Sequence, residues 1–451
     1  MADSRRSRPA DDRAHDGVGR AVADLLAQAL PGGGRVAVAL SGGRDSIALL
    51  DAASRIAGRA RITLVAFHVH HGLSPNADRW SLFCRDACAA RDIAFVSRHV
   101  SVARNARVSV EAAARKLRYD ALAALAQAHA VDAVLLGHHA DDQAETVLLQ
   151  LLRGAGPRGL AAMPAIAVDR GVRWLRPLLG ITRQALDAEV TARRLDYIDD
   201  ESNADARYRR NALRARAVPA LRAIAPGYPD TLVRAARHQA EAAALLDELA
   251  ALDAQGACDG ATLDRAVLRS LGAPRARNLL RWFVRQHGLP APSSARLGEM
   301  LRQLTSAGDD ARTALVHAGS ELGVHRGRVC VHRRAPDAYS LRWTGDGSIV
   351  LPHGTLVFEA AATAGIAARH LAAARVTLRS GTPGERLRVG GHLRRGVADL
   401  LREAGVPAWA RTGVPRVYCG DTLAAVACAG VDAGFAAAPG EPAVALGWHP
   451  G

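Results

Sequence analysis

The chain has 451 residues, of which 49% are apolar and 23% charged, the balance of a globular protein with buried cores rather than of a disordered or fibrous one. At roughly 100–200 residues per domain that length implies two to four domains, and no run of about 18 uncharged apolar residues exists to span a membrane. The formal net charge of +15 favours a polyanionic partner, either nucleic acid or an acidic surface, and no basic amphipathic helix supports the latter.

Residues 1–15 are Arg- and Asp-rich without an apolar core, and read as a disordered tail rather than a signal peptide. An amphipathic helix follows over 18–30, then a glycine break, an apolar strand over 36–40 and a helix opening at Asp45. Strands over 62–68, 95–100 and 134–136 alternate with helices around 79–91, over 110–128 and over 140–152. Uninterrupted apolar strands between helices mark a parallel sheet covered on both faces, so residues 16–222 are expected to form a doubly wound α/β domain. Its ligand site should lie beyond the carboxyl ends of the strands. Residues 223–335 read as a helical domain and 336–368 as a linker with a hairpin over 348–358. Residues 369–451 read as a small α+β domain, with strands over 376–389, a helix over 398–404 and strands around Cys419-Gly420-Asp421.

Aromatics make up only 4%, so the cores rest on Ala, Val and Leu, and all but one of the 59 basic residues are arginines, Lys116 being the exception. The six cysteines form no C-x-x-C pair and are too sparse for a disulfide framework, which fits a reducing cytoplasm. Cys84 and Cys88, four apart in a predicted helix, read as buried small side chains.

The most informative residues are Ser41, Gly42, Gly43, Arg44, Asp45 and Ser46, directly between the first strand and its helix. Glycines let backbone N–H groups turn toward an anion, and the helix N-terminus adds partial positive charge. Asp45 beside a phosphate is repulsive unless it holds Mg²⁺ or fixes the loop. No lysine is present, so this is not a Walker A loop. S-G-G-x-D-S after a buried strand instead resembles the PP-loop of ATP pyrophosphatases, which implies ATP cleaved between its α- and β-phosphates. A second cluster opens the helix after the fourth strand. Asp142 and Glu145, three apart, share one helical face near its N-terminus. They could hold Mg²⁺ or an ammonium group, and with His139 could manage a proton.

Further blocks are H-H-G-L at 70–73, S-V-E-A-A-A-R-K-L-R-Y at 109–119, H-x-D-D-Q-x-E-T at 139–146 and L-L-R-G-A-G-P-R-G-L at 151–160. R-P-L-L at 176–179, D-E-S-N at 200–203, Y-R-R-N-A-L-R at 208–214 and G-V-P-A-W-A-R-T-G-V-P at 405–415 follow. Together and in this order they resemble the tRNA(Ile)-lysidine synthetases over nearly the whole chain. The resemblance implies an ATP-dependent ligase that joins free L-lysine to C2 of the wobble cytidine in the CAU anticodon of an isoleucine tRNA. An adenylated cytidine is the implied intermediate. It further implies that the loop 41–46 binds ATP with Asp45 near Mg²⁺, and that Asp142 and Glu145 take the lysine ammonium or the metal.

Arg115 and Arg118, three apart on one helix, could neutralise developing phosphate charge, with Glu111 able to pair with Arg115. Arg118, Arg210, Asn211 and Arg214 would face RNA near the site, and Arg394, Arg395 and Arg411 would grip the tRNA from the last domain. The family's lysine-rich stretch ahead of its last motif here reads His392-Leu393-Arg394-Arg395-Gly396. The rival enzyme reading is another PP-loop tRNA-modifying enzyme such as a cytidine thiolase, whose usual C-x-x-C cysteines are missing. A homodimer is left open by the sequence.

Overall fold

The computed structural model describes residues 17–70, 72, 74–101, 110–199, 209–308, 314–333, 338–362, 364–391 and 393–450. The expected tail, the 200–203 block, Tyr208, His392 and the side chain of Glu111 lie outside them. The chain divides into two compact units, Met1–Leu245 and Leu246–Gly451.

The first unit begins with α1 (Gly17–Ala29), then β1 (Gly34–Ala39), α2 (Arg44–Ala57), β2 (Ile62–His70), α3 (Ala77–Ala89) and β3 (Ala94–His99). After these come α4 (Val110–Ala128), β4 (Ala133–Leu135), α5 (Ala140–Leu151), α6 (Pro157–Leu160), β5 (Ile166–Asp169) and β6 (Val172–Leu175). The unit closes with α7 (Arg183–Ala192), α8 (Arg209–Arg216), α9 (Val218–Ile224) and most of α10 (Tyr228–Asp253). The strands form one sheet in the order β3-β2-β1-β4-β6-β5, parallel except for β5.

Side-chain alternation accounts for the helices on both faces. Val36 and Val38 of β1, Ala66 of β2 and Leu135 of β4 join the core beneath α1, α2, α3 and α7. Their neighbours Ala37, Val65, Phe67 and Val134 point the other way, onto Leu122, Leu125 and Ala126 of α4. The expected doubly wound α/β domain is present. The strand order reverses between β1 and β4, so the loops leaving these two strands flank the topological switch point where such sheets bind ligands.

The β5–β6 hairpin was not legible in the sequence. Its strands are four residues each, and its turn puts Arg170 (φ 54°) and Gly171 (φ 71°) in the left-handed region, as a two-residue hairpin turn requires. Arg170 is an unusual choice there; Asp169 and Asp120 both pair with its guanidinium.

In the second unit the expected helical segment contains α11 (Arg265–Ser270), α12 (Ala273–Gln286) and α13 (Ser294–Ser306). It also holds a four-stranded antiparallel sheet that helical periodicity did not reveal, made of β7 (Thr262–Asp264), β8 (Leu315–His317), β9 (Ser320–His325) and β10 (Arg328–Arg333). The remaining chain builds a five-stranded and a four-stranded sheet around one core, with helices Ala368–Ala373 and Val397–Glu403. The stretch expected as a linker, 336–368, is corrected by this topology. Its strands Ser340–Arg342, Ser348–Leu351, Gly354–Ala361 and Ile366–Ala367 pair into both sheets, because Leu351, Leu356, Phe358 and Ile366 supply core side chains. Among the described residues no helix is long and apolar enough to cross a membrane.

Candidate active site

The loop leaving β1 turns at Gly42, whose φ of +87° favours glycine. A side chain there would also collide with Ile198, since a Cβ would lie 2.6 Å from its Cδ1. Ile198 in turn donates its N–H to the Gly42 carbonyl at 2.9 Å. Gly43 takes the N-cap position of α2, and the Ser46 hydroxyl donates to its carbonyl at 2.8 Å. The Ser41 and Ser46 hydroxyls lie 3.2 Å apart. The loop thus collects small polar groups at the positive end of a 14-residue helix, the arrangement expected of an anion cradle. Arg44 is turned to Asp187 of α7 and over the Tyr197 ring.

Beyond β4, Gly137 lets the second loop approach the first. A Cβ at this position would sit 3.2 Å from the backbone carbonyl group of Asp45 and 3.3 Å from the Ser46 nitrogen. The His139 imidazole is buried behind it, with Nε2 3.6 Å from Oδ2 of both Asp45 and Asp142. Asp142 accepts the backbone N–H of His139 at 3.2 Å.

The acid pair of α5 is held by two arginines of α8. Arg210 and Arg214 each give Nε to one oxygen of Glu145, at 2.6 and 2.5 Å, and Nη2 to Asp142 Oδ1, at 3.2 and 2.9 Å. Both carboxylates are buried. Burial opposes the charge of Asp142, yet His139, Arg210, His138 and Arg214 together hold it below the usual carboxylate range. Arg214 is pushed the other way, upward: burial opposes its charge, but the hydrogen bond and charge of Glu145 together with the charges of Asp142 and Asp45 outweigh it.

Asp45 differs. Burial raises its pKa, with nearby Asp142 adding to the rise and His139, Arg44 and Arg183 opposing it. Its Oδ1 is buried without a hydrogen-bond partner, as are His138 Nδ1, His139 Nδ1 and Arg176 Nε. Orphaned polar atoms gathered at one place are those a bound ligand would satisfy. Burial pushes His138 down to about 3; Asp142 opposes this, while Arg115, Arg176 and Arg210 add to it.

The structure therefore brings together the loop 41–46, Asp45, His139, Asp142, Glu145, Arg210 and Arg214, with Arg115 and Asn211 on neighbouring elements. Arg210 and Arg214 do not stand free for RNA as the sequence suggested, because α8 lays them on the acid pair. Arg118 lies on an exposed part of α4. Arg394, Arg395 and Arg411 belong to the second unit, where Arg395 pairs with Glu403 and Arg411 donates to the Val406 carbonyl. Sequence reasoning missed His138, Arg176 and the close approach at Gly137. Arg176 begins the R-P-L-L block, and that position was the available signal.

Family models match as a PP-loop domain over residues 17–221, a TilS substrate binding domain over 263–330 and a TilS substrate C-terminal domain over 376–448. The tRNA(Ile)-lysidine synthase of Azoarcus sp. (strain BH72) is 42% identical over 432 residues, 94% of each chain. That of Aromatoleum aromaticum is 41% identical over 94% of this chain and 100% of its own. That of Burkholderia pseudomallei is 40% identical over 92% and 93%.

Proposed function

The chain belongs to the tRNA(Ile)-lysidine synthase family, and from that premise we propose that it ligates free L-lysine to C2 of the wobble cytidine in a CAU anticodon, consuming ATP. The observation that carries the reading is the meeting of the 41–46 loop with His139, Asp142 and Glu145 at the switch point of the sheet. The cytosine O2 attacks the α-phosphate, expelling pyrophosphate. The lysine ε-amine then attacks C2 and displaces AMP.

The N–H groups of the loop and the start of α2 would hold the departing pyrophosphate, with the Ser41 and Ser46 hydroxyls turning toward it. Asp45, with its orphaned oxygen, and Asp142 suit Mg²⁺, which is usually held by one or two carboxylates plus substrate phosphates. Bound there, Mg²⁺ would neutralise charge on the phosphates. Arg115 would act on the same developing charge. Asp142 and Glu145 would receive the lysine ammonium, which must share or displace the guanidiniums now on them. His139, at equal distance from Asp45 and Asp142, is the group suited to take the proton the amine must lose before attack. The contacts of Arg210 and Arg214 support a role in positioning the acid pair. RNA contacts by Arg118, Asn211, Arg394, Arg395 and Arg411 complete the proposal, with a cytoplasmic setting and either a monomer or a homodimer.

A thiolase is disfavoured by chemistry as well as by family. Cys84 and Cys88, the cysteines beneath the loop, are buried, which pushes their thiols up to about 12 and about 11 and makes them poor nucleophiles. Mass spectrometry of isoleucine tRNA after incubation with the protein, ATP and lysine tests the proposal. A cytidine heavier by one lysine residue is expected, and an unmodified or sulfur-bearing cytidine refutes it.

A further inference from the structure

One stretch of the first unit, residues 181–198, grips both loops of the site. At the second loop, Ala140 donates its N–H to the Ile181 carbonyl and Arg183 donates its N–H to Asp141 Oδ2, each at 2.8 Å. Asp141 shares the first turn of α5 with Asp142. At the first loop, Arg44 Nη1 lies 2.5 Å from Asp187 Oδ1, and Ile198 forms a parallel bridge with Gly43 while its N–H reaches the Gly42 carbonyl. Between these attachments α7 is anchored. Leu186 and Val190 are buried in one core with Ile47 and Leu50 of α2, and Glu189 pairs with Arg55, in the last turn of α2, at 3.2 Å.

Arg44 is a costly residue where it stands. It opens α2, and a cation at a helix N-terminus meets the partial positive charge of the helix. Its guanidinium is drawn instead to the Asp187 carboxylate and over the Tyr197 ring, 5.6 Å from the centroid, and the side chain is only 19% exposed. Asp187 is thus the acidic group that offsets the charge of the loop's own arginine, and it stands on a helix fixed to the second loop as well.

We infer that Asp187 is a positioning residue for the adenylation step: through Arg44 it sets the 41–46 loop in register with the start of α5. Phosphate binding belongs to the N–H groups of the loop and the end of α2, which shift together, so a displaced loop still takes ATP. Transfer of AMP needs more, because ATP held by the first loop must meet the groups carried by the second. A misplacement of about 1 Å costs on the order of a hundredfold in rate. Ile198 still holds the loop when the carboxylate is lost, so the effect of Asp187 alone should be smaller. The inference rests on the ligase reading.

The test is Asp187→Asn, made singly and together with Arg44→Gln. A half-exposed ion pair adds little to global stability, so the melting temperature should stay close to that of the wild type. Pyrophosphate release from saturating ATP and tRNA without lysine should fall about tenfold, with the ATP Kd within about twofold. The double variant should be no slower than the slower single one, since both changes break the same contact. Asp187→Glu, which keeps the charge, should recover most of the rate. In the protein without substrates, amides of the 41–46 loop should exchange hydrogen about fivefold faster in Asp187→Asn, while those of β4 are unchanged. An unaltered adenylation rate, a loss confined to ATP affinity, or additive losses in the double variant would each overturn the inference. Failure of the ligase reading shows separately, as no tRNA-dependent pyrophosphate release by the wild type; the exchange measurement then still decides, and unchanged loop exchange overturns the positioning role.

Discussion

Glu145→Gln keeps the shape of the side chain and removes its charge. In the structure Glu145 is 4% exposed and its two oxygens each accept an arginine Nε, so the carboxylate sits in a low-dielectric pocket. A hydrogen bond to a charged group there contributes about 1.5–3 kcal/mol, and about 1.4 kcal/mol is tenfold in an equilibrium constant. If Glu145 receives the lysine ammonium, the amide should raise the lysine KM by roughly 10- to 150-fold and leave the ATP KM within about twofold. The assay follows AMP and pyrophosphate release against lysine concentration, and then pyrophosphate release from ATP and tRNA with no lysine present. The second measurement isolates adenylation. An equal loss in lysine-free pyrophosphate release would refute the assignment, because it would place Glu145 in the first step. Arg210 and Arg214 keep Asp142 as a partner in this variant, so a collapse of α8 should not confuse the result.

Asp45→Asn should abolish AMP transfer while stabilising the ligand-free protein, and near-normal turnover would remove Asp45 from the mechanism. The sign follows from burial raising the Asp45 pKa above 3.8: the folded state favours the protonated acid, and stability is lost as pH rises through the folded value. The variant's advantage in denaturation should therefore be larger well above pH 3.8 than at or below it. Gly137→Ala places a methyl 3.2 Å from the Asp45 backbone, and should weaken ATP binding by calorimetry while the circular dichroism spectrum is retained; unchanged affinity would show that the loop can yield. His138, pushed down to about 3, should show no NMR titration between about pH 5 and about pH 8, and an inflection near the ordinary histidine value of 6.5 would contradict its burial. Its contribution to stability is present above 6.5 and is lost as pH falls below that value toward about 3.

The first domain was legible because its strands are short apolar runs buried on both faces, a pattern with few alternatives. The loop 41–46 and the 139–145 cluster were legible because each follows such a strand. What stayed hidden depends on contacts between segments far apart in sequence. Arg210 and Arg214 meet Glu145 across 65 and 69 residues, and no local pattern in an arginine-rich helix separates an inward guanidinium from a solvated one. Within 336–368 the hairpin expected over 348–358 is present as Ser348–Leu351 and Gly354–Ala361, and what was hidden is its place in larger sheets, because the partners Val376–Arg379 and Ala443–Pro450 come later in the chain.

The charges at the site explain why it needs its substrates. Arg210 and Arg214 match the charge of Asp142 and Glu145, leaving that group of four close to neutral. Asp45 is left over. Its ion pair with Arg44 is long, at 3.8 Å, and Arg44 is itself engaged by Asp187, so burial dominates and raises the carboxyl's pKa above its ordinary value. In the proposed reaction a cation brought with the ATP phosphates would offset the cost of burying the charge of Asp45. In the proposed reaction, a lysine ammonium entering a group already neutral would have to loosen at least one guanidinium from the acid pair. Those guanidiniums sit on α8, inside the 208–214 block expected to meet RNA, so release of one toward a phosphate would open a place for the amine. On the proposed reaction, lysine KM and tRNA affinity would be coupled through the same two side chains, Arg210 and Arg214.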